Sequence, residues 1–335
     1  MNKIAVIIAA YNAEKYIARC IKSVQNQSYE TWEIYVVNDG STDNTLKIVM
    51  YMEEKDERIK VINTENGGVF KARRTAIDAV KGCKYMTFLD ADDYLCDNHL
   101  FEKCINKMEM EHIDCLCFNY QIGKNCGFGV QNSIKITDDG EKIRNLLNRR
   151  CIDGNMPYAI YKSEIIKEYF KVYDYSNDDF LNKYDILLHS ANVVYVPWCG
   201  YHYSQNMESQ THRKIEEKDC LYFKHVKEFT DRLLIDYPNL KEECNYFLCW
   251  VLLWTVVQLE KNKELKKLEM YEPIMKEFKK YNVVFKKSTY FSKKEIITYF
   301  LIRMHIFGIS YRIYHIFLDK ILRKTKGSKP QFEFK

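Results

Sequence analysis

The N-terminal stretch alternates short apolar runs with amphipathic segments in a strict order. Ile4–Ala10 is a continuous run rich in β-branched residues, as expected of a strand buried on both faces of a parallel sheet. From Glu14 to Gln27, Ile17, Cys20 or Ile21, and Val24 fall on one helical stripe. Trp32–Val37 predicts a second strand, and Thr42 or Asp43 can cap a helix that continues to Met52. Lys60–Asn63 predicts a short strand, Val69–Lys81 a helix and Tyr85–Leu89 a fourth strand. This β-α-β-α-β-α-β order implies a mostly parallel sheet with right-handed crossovers, flanked by helices.

Beyond it, Asn98–Glu111 reads as helix and Asp114–Gln121 as strand. A glycine-containing polar stretch follows, with a short helix near Glu141–Asn148, and is expected to shape an acceptor side. Val193–Val196 reads as a strand that ends at Pro197. From about Arg213 the pattern is helical, which places a boundary between an α/β domain, 1–215, and a helical region, 216–335. Tyr246–Leu259 is strongly apolar but too short to span a bilayer alone, and reads as a buried core helix. Ile296–Leu318 is longer and aromatic, interrupted by Arg303, His305, Arg312 and His315 and flanked by lysines and arginines. It suits a helix lying in an anionic membrane interface, with a packing or homo-oligomerisation module as the rival reading.

Charge supports that asymmetry. The 335 residues carry a net +5, yet residues 261–335 hold 19 Lys and Arg against 7 Asp and Glu. A basic tail on an acidic front half points to an anionic surface as partner and not to nucleic acid. The twelve cysteines are scattered and form no C-x-x-C pair. Met1-Asn2-Lys3 runs directly into Ile4–Ile8, too short for a secretory leader. These features lead to an expectation of reduced thiols and a cytoplasmic protein, peripheral on the cytoplasmic face of the membrane. Ala9-Ala10-Tyr11-Asn12-Ala13 contains no glycine, and no Walker A sequence occurs, which disfavours a dehydrogenase, a P-loop NTPase or a nucleotidyltransferase.

The chemistry lies in two acidic signatures. Val36-Val37-Asn38-Asp39-Gly40-Ser41-Thr42-Asp43 and Phe88-Leu89-Asp90-Ala91-Asp92-Asp93 each put carboxylates at the carboxyl end of a predicted strand. That edge is where open α/β sheets bind ligands. One acidic site can read a base or ribose. The other can hold a divalent metal on a diphosphate, since Asp90 and Asp92 are two apart and point the same way. Together they indicate a nucleotide-sugar enzyme.

With Ile7-Ile8-Ala9-Ala10-Tyr11-Asn12, Asn66-Gly67-Gly68 and Ala72-Arg73, these stretches resemble glycosyltransferase family 2, whose fold is the GT-A fold. The strong part of the resemblance covers residues 3–95. A weaker part, through Asn177-Asp178-Asp179 and Tyr201-His202-Tyr203, reaches about residue 212. The resemblance implies a metal-dependent, inverting transfer of a sugar from a nucleotide-diphosphate sugar, a UDP-sugar first. The acceptor it implies is a saccharide or lipid-linked glycan in surface polysaccharide synthesis. Ala10, Tyr11 and Asn12 would line the base site, and Asp39 would accept from the base. Arg73 would sit near the phosphates, and Asp90 and Ala91 near the ribose. Asp92, with Asp90 and His202, would hold Mn²⁺ or Mg²⁺, and Asp179 would be the general base. A loop over Ser209–Arg213 could cover the donor, with Arg213 on the diphosphate. Departures from the family pattern are Ala9 for a proline, Arg74 for an asparagine, Ala76 for a glycine and Asp178 for a glutamate. The alternative is a nucleotide-sugar-binding protein without transferase activity, or a membrane-associated scaffold.

Overall fold

The computed structural model describes residues 2–123, 125–173, 178–204, 222–261, 269–281, 284, 290–291 and 293–304. The chain forms two compact units, 1–214 and 215–335.

The first unit runs β1 (Ile4–Ala10), α1 (Ile17–Gln25), β2 (Trp32–Asp39), α2 (Thr45–Lys55), β3 (Ile59–Thr64), α3 (Val69–Ala79) and β4 (Tyr85–Phe88). It continues with β5 (Tyr94–Leu95), α4 (Leu100–Glu111), β6 (Cys115–Ile122), β7 (Asn125–Cys126), β8 (Ile134–Ile136) and α5 (Asp139–Leu147). Next come β9 (Ala159–Lys162), α6 (Ser163–Tyr169), α7 (Asp178–Leu188) and β10 (Val193–Tyr203). All ten strands form one sheet in the order β3-β2-β1-β4-β9-β6-β10-β5, with β7 on β6 and β8 on β10. The β3-β2-β1-β4 half is parallel throughout, as the alternating pattern requires. Ile4, Ala5, Val6, Ile7 and Ile8 are fully buried at its centre. Each such Ile or Val stabilises the fold by about 1.5–3 kcal/mol through burial.

The second half is mixed, and it departs from the sequence reading in two places. β9 enters antiparallel between β4 and β6, although its four residues gave no separate signal. β10 does not end at Pro197: it pairs with β6 through Tyr203, with register shifts between Val196 and Cys199 and between Cys199 and Tyr201. A bulge tolerates a residue that has no N–H to give the ladder. This extension carries Tyr201 and His202 alongside β5, where Tyr201 pairs with Leu95 and His202 with Tyr94. Cys126 of β7 and Cys199 of β10 bring their sulfur atoms together at the end of the sheet. A separation of 73 residues hides this approach from the sequence. Nine further cysteines among the described residues are free thiols.

The second unit is helical: α8 (Tyr222–Asp236), a short turn of 3₁₀ helix (Pro238–Leu240), α9 (Lys241–Lys261), α10 (Tyr271–Lys280) and α11 (Lys293–Arg303). Helix α9 buries side chains all round, including Phe247, Leu248, Val251, Leu252, Val256 and Leu259, against α8, α10 and α11. No helix among the described residues is long and apolar enough to cross a membrane. Most of the stretch 296–318 and its basic C-terminal flank lie outside the described residues. So do Ser209–Arg213, Asn177 and the side chain of Asp178.

Candidate active site

The parallel half of the sheet brings the first two loops together. β1 and β2 pair in register, Ala10 opposite Asn38, so the loops that follow them leave side by side. Asn12 adopts a left-handed backbone, φ 49°. Its Oδ1 accepts from the Thr42 N–H at 2.8 Å, and its own N–H donates to Ser41 Oγ at 3.0 Å. Ala10 is buried, whereas the Tyr11 ring stands 46% exposed. Asp39 is buried at the end of β2, and its carboxylate accepts from the N–H of Gly67 at 2.7 Å and of Gly68 at 2.9 Å. Those two bonds aim the carboxylate and leave each oxygen a further lone pair for a ligand. Gly40 makes the approach possible: at φ +67° a Cβ would lie 2.6 Å from the Asn66 nitrogen.

Arg73, on α3, is buried among acids. Its Nη1 donates to Asp179 Oδ1 at 2.6 Å and its Nη2 to Asp90 Oδ1 at 2.8 Å. Burial works against its charge, but Asp179 and Asp90 more than offset this and raise its pKa further. Its fork faces two carboxylates, the counter-charges that a buried guanidinium requires. Asp179, in the first turn of α7, also receives the Met156 N–H. Burial pushes its carboxyl up, Arg73 opposes that, and the charge of Asp90 adds to the rise. A base held in this way gains proton affinity while keeping its counter-ion. Neighbouring Arg74 donates to the carbonyls of Phe170 and Lys167 at 3.1 and 3.4 Å, tying α3 to the end of α6. This gives the departure at position 74 a structural use. Ala76 is fully buried.

The turn after β4 collects Asp90, Ala91, Asp92 and Asp93. Asp93 is buried, with Oδ2 accepting from the Tyr201 hydroxyl and Oδ1 from the Ser204 N–H, both at 2.7 Å. Burial, then the charges of Asp90 and Asp92, push its carboxyl up to about 8. Asp93 therefore anchors the end of β10. Arg19 braces the same turn: its Nη2 donates to the Asp92 carbonyl at 2.7 Å and to Ser204 Oγ at 3.0 Å. The Arg19 guanidinium lies over the Tyr94 ring, which stacks on His202 at 4.4 Å. Nothing in the sequence marked Arg19, an ordinary polar position on α1.

These residues fit a divalent cation. Their carboxylates concentrate negative charge at one turn. His202 Nδ1 is buried with no hydrogen-bond partner among the described residues. Burial and Arg19 hold the imidazole below its ordinary pKa, so it is neutral with a lone pair to give. Among the described residues, however, no three His, Cys, Asp or Glu side chains gather into a ready-made cage. Asp90 Oδ1 is paired with Arg73, and the His202 ring is stacked on Tyr94. A cation at this turn would take much of its shell from substrate phosphates, as Mg²⁺ commonly does.

The family model described as Glycosyl transferase family 2 matches residues 5–170. An uncharacterized glycosyltransferase of Haemophilus influenzae is 33% identical over 178 residues, covering 53% of this chain and 67% of the relative. This chain belongs to glycosyltransferase family 2. The glycosyltransferase GlyA of Streptococcus pneumoniae is 28% identical over 60% of this chain, but the match spans only 30% of GlyA. Two solved structures share the fold. The TarS 1–349 structure of S. aureus, in complex with UDP-GlcNAc, has a TM-score of 0.67 at 20% identity and covers 92% of this chain and 91% of its own. The mannosyltransferase PcManGT of Pyrobaculum calidifontis, in complex with GDP-Man and Mn²⁺, has a TM-score of 0.51 at 14% identity and covers 89% and 86%. The family 2 membership and the GT-A architecture that the motifs implied are therefore established for this chain.

Proposed function

We propose that this family 2 protein transfers a sugar from a UDP-sugar, with inversion, to a hydroxyl of a saccharide or lipid-linked glycan in surface polysaccharide synthesis. The observation that carries this reading is the Arg73 fork. One buried guanidinium joins Asp90, in the acidic turn after β4, to Asp179, at the head of α7. The complex of TarS with UDP-GlcNAc makes UDP-N-acetylglucosamine the first donor to try.

In this mechanism Asp39, with Ala10, Tyr11 and Asn12, receives the base, and Asp90 and Ala91 lie toward the ribose. Asp92, with Asp90 and His202, would hold a divalent metal, which offsets the charge that develops on a departing diphosphate. Asp179 takes the proton of the acceptor hydroxyl as its oxygen attacks the anomeric carbon opposite the diphosphate. The carbon–oxygen bond to the phosphate breaks, and its electron pair leaves with the nucleotide. Arg73 keeps Asp179 ionised and oriented until the proton arrives.

Asp179→Asn preserves shape and removes the base. Turnover is expected to fall about 10²- to 10⁴-fold, with UDP-sugar affinity within about threefold of wild type. Wild-type turnover by this variant would remove Asp179 from the mechanism.

A further inference from the structure

We propose that Tyr158 is a specificity-determining residue whose hydroxyl bonds a hydroxyl of the donor sugar. The assignment rests on the UDP-sugar reading above and extends it to the sugar itself.

Tyr158 immediately precedes β9, which runs antiparallel to β4 with Ile160 opposite Thr87. It therefore sits level with the end of β4, where the chain turns into Asp90, Ala91 and Asp92. On its other side its carbonyl accepts from the Phe118 N–H at 2.9 Å. Its backbone is left-handed, φ 72°, a conformation that a bulky aromatic residue seldom adopts unless its surroundings impose it. Those surroundings are aromatic: the ring stacks on Tyr120 at 4.2 Å and meets the edge of Tyr201 at 4.8 Å. The same Tyr201 hydroxyl holds Asp93. The strained backbone and the two rings fix where the hydroxyl goes.

That hydroxyl has no use inside the protein. Tyr158 is only 6% exposed, and its oxygen makes no hydrogen bond among the described residues and is not one of the fully buried unpartnered atoms, so the hydroxyl reaches open space. Burial, then the charges of Asp153, Asp93 and Asp90, push the phenol well above its ordinary pKa. It therefore remains an O–H that can both donate and accept, the pairing that a ring hydroxyl of a sugar offers. The polyhydroxylated group that belongs beside the acidic turn is the sugar carried by the diphosphate.

The test is calorimetric titration of wild type and Tyr158→Phe with UDP and with UDP-N-acetylglucosamine, UDP-glucose and UDP-galactose, in Mn²⁺. Phenylalanine keeps both ring contacts. The thermal midpoint is expected to stay the same, because no internal bond is lost. UDP affinity is expected to be unchanged, while the preferred UDP-sugar weakens about 3- to 10-fold. An unchanged ratio of UDP-sugar to UDP affinity overturns the assignment. So does a lowered midpoint with equal loss of both ligands, which marks a packing role. If wild type binds UDP but gains nothing from any of the three sugars, the nucleotide reading survives and the role of Tyr158 fails. If wild type binds no nucleotide, the proposed function fails and the assignment goes with it.

Discussion

Arg73 shows how a residue can be found by its motif while its partners stay hidden in the sequence. The Ala72-Arg73 stretch marked it as functional, and it is buried at the site. Its partners, Asp90 and Asp179, lie 17 and 106 residues away. No local pattern encodes that bracket, because only the closed sheet brings α3, β4 and α7 to one point. Asp39 was more legible. A carboxylate at a strand end followed by Gly40 is a local signal, although its bonds to Gly67 and Gly68 are not. Arg73→Lys keeps the charge but cannot fork to both acids. Asp179 must be ionised to accept a proton, burial already raises its pKa, and Arg73 restrains that rise. Weakening the restraint therefore moves the acid limb of the pH–rate profile to higher pH. It should also lower the plateau about tenfold or more. A profile superimposable on wild type would show that Arg73 does not act on the base.

At the scale of elements, the parallel strands were legible because strands buried on both faces write themselves as apolar runs. Ile4–Ala10 has the expected bounds, and the second strand and the fourth differ from expectation by two residues and one. β9 was not legible: four residues between two antiparallel partners carry too little pattern, and its role depends on neighbours distant in sequence. β10 was truncated in the reading because Pro197 signals a strand end, whereas a bulge absorbs it. The cost of the second error is functional, since the missed segment delivers Tyr201 and His202 to the acidic turn. The loops after β2 and β3 depend on Gly40, whose left-handed backbone packs against Asn66. Gly40→Ala should cost about 1–3 kcal/mol. It should also weaken UDP binding several-fold by displacing the N–H groups that aim Asp39. Thermal denaturation and nucleotide titration of the variant check this, and an unchanged midpoint would show that the turn accommodates a side chain freely.

At the scale of the molecule, the order of acidic strand ends proved more telling than any one motif. Four short stretches in sequence order implied family 2, and the matched residues, the sheet order and the solved relatives agree. The acceptor is the least legible part. The segment between β6 and α7, expected to shape the acceptor side, carries no strong periodicity, and its aromatic packing around Tyr120 and Tyr158 forms only in three dimensions. The second unit encloses α9 as a core helix of its own, in keeping with its all-round apolar sequence. The central claim concerns the donor. It is tested most directly by calorimetric titration of UDP and GDP into the full chain, with Mn²⁺ and with EDTA, for wild type and Asp92→Ala. The account predicts UDP binding in Mn²⁺ that EDTA or Asp92→Ala weakens about tenfold or more, with GDP much weaker. Absence of UDP binding, or UDP binding indifferent to both metal and Asp92, would contradict it.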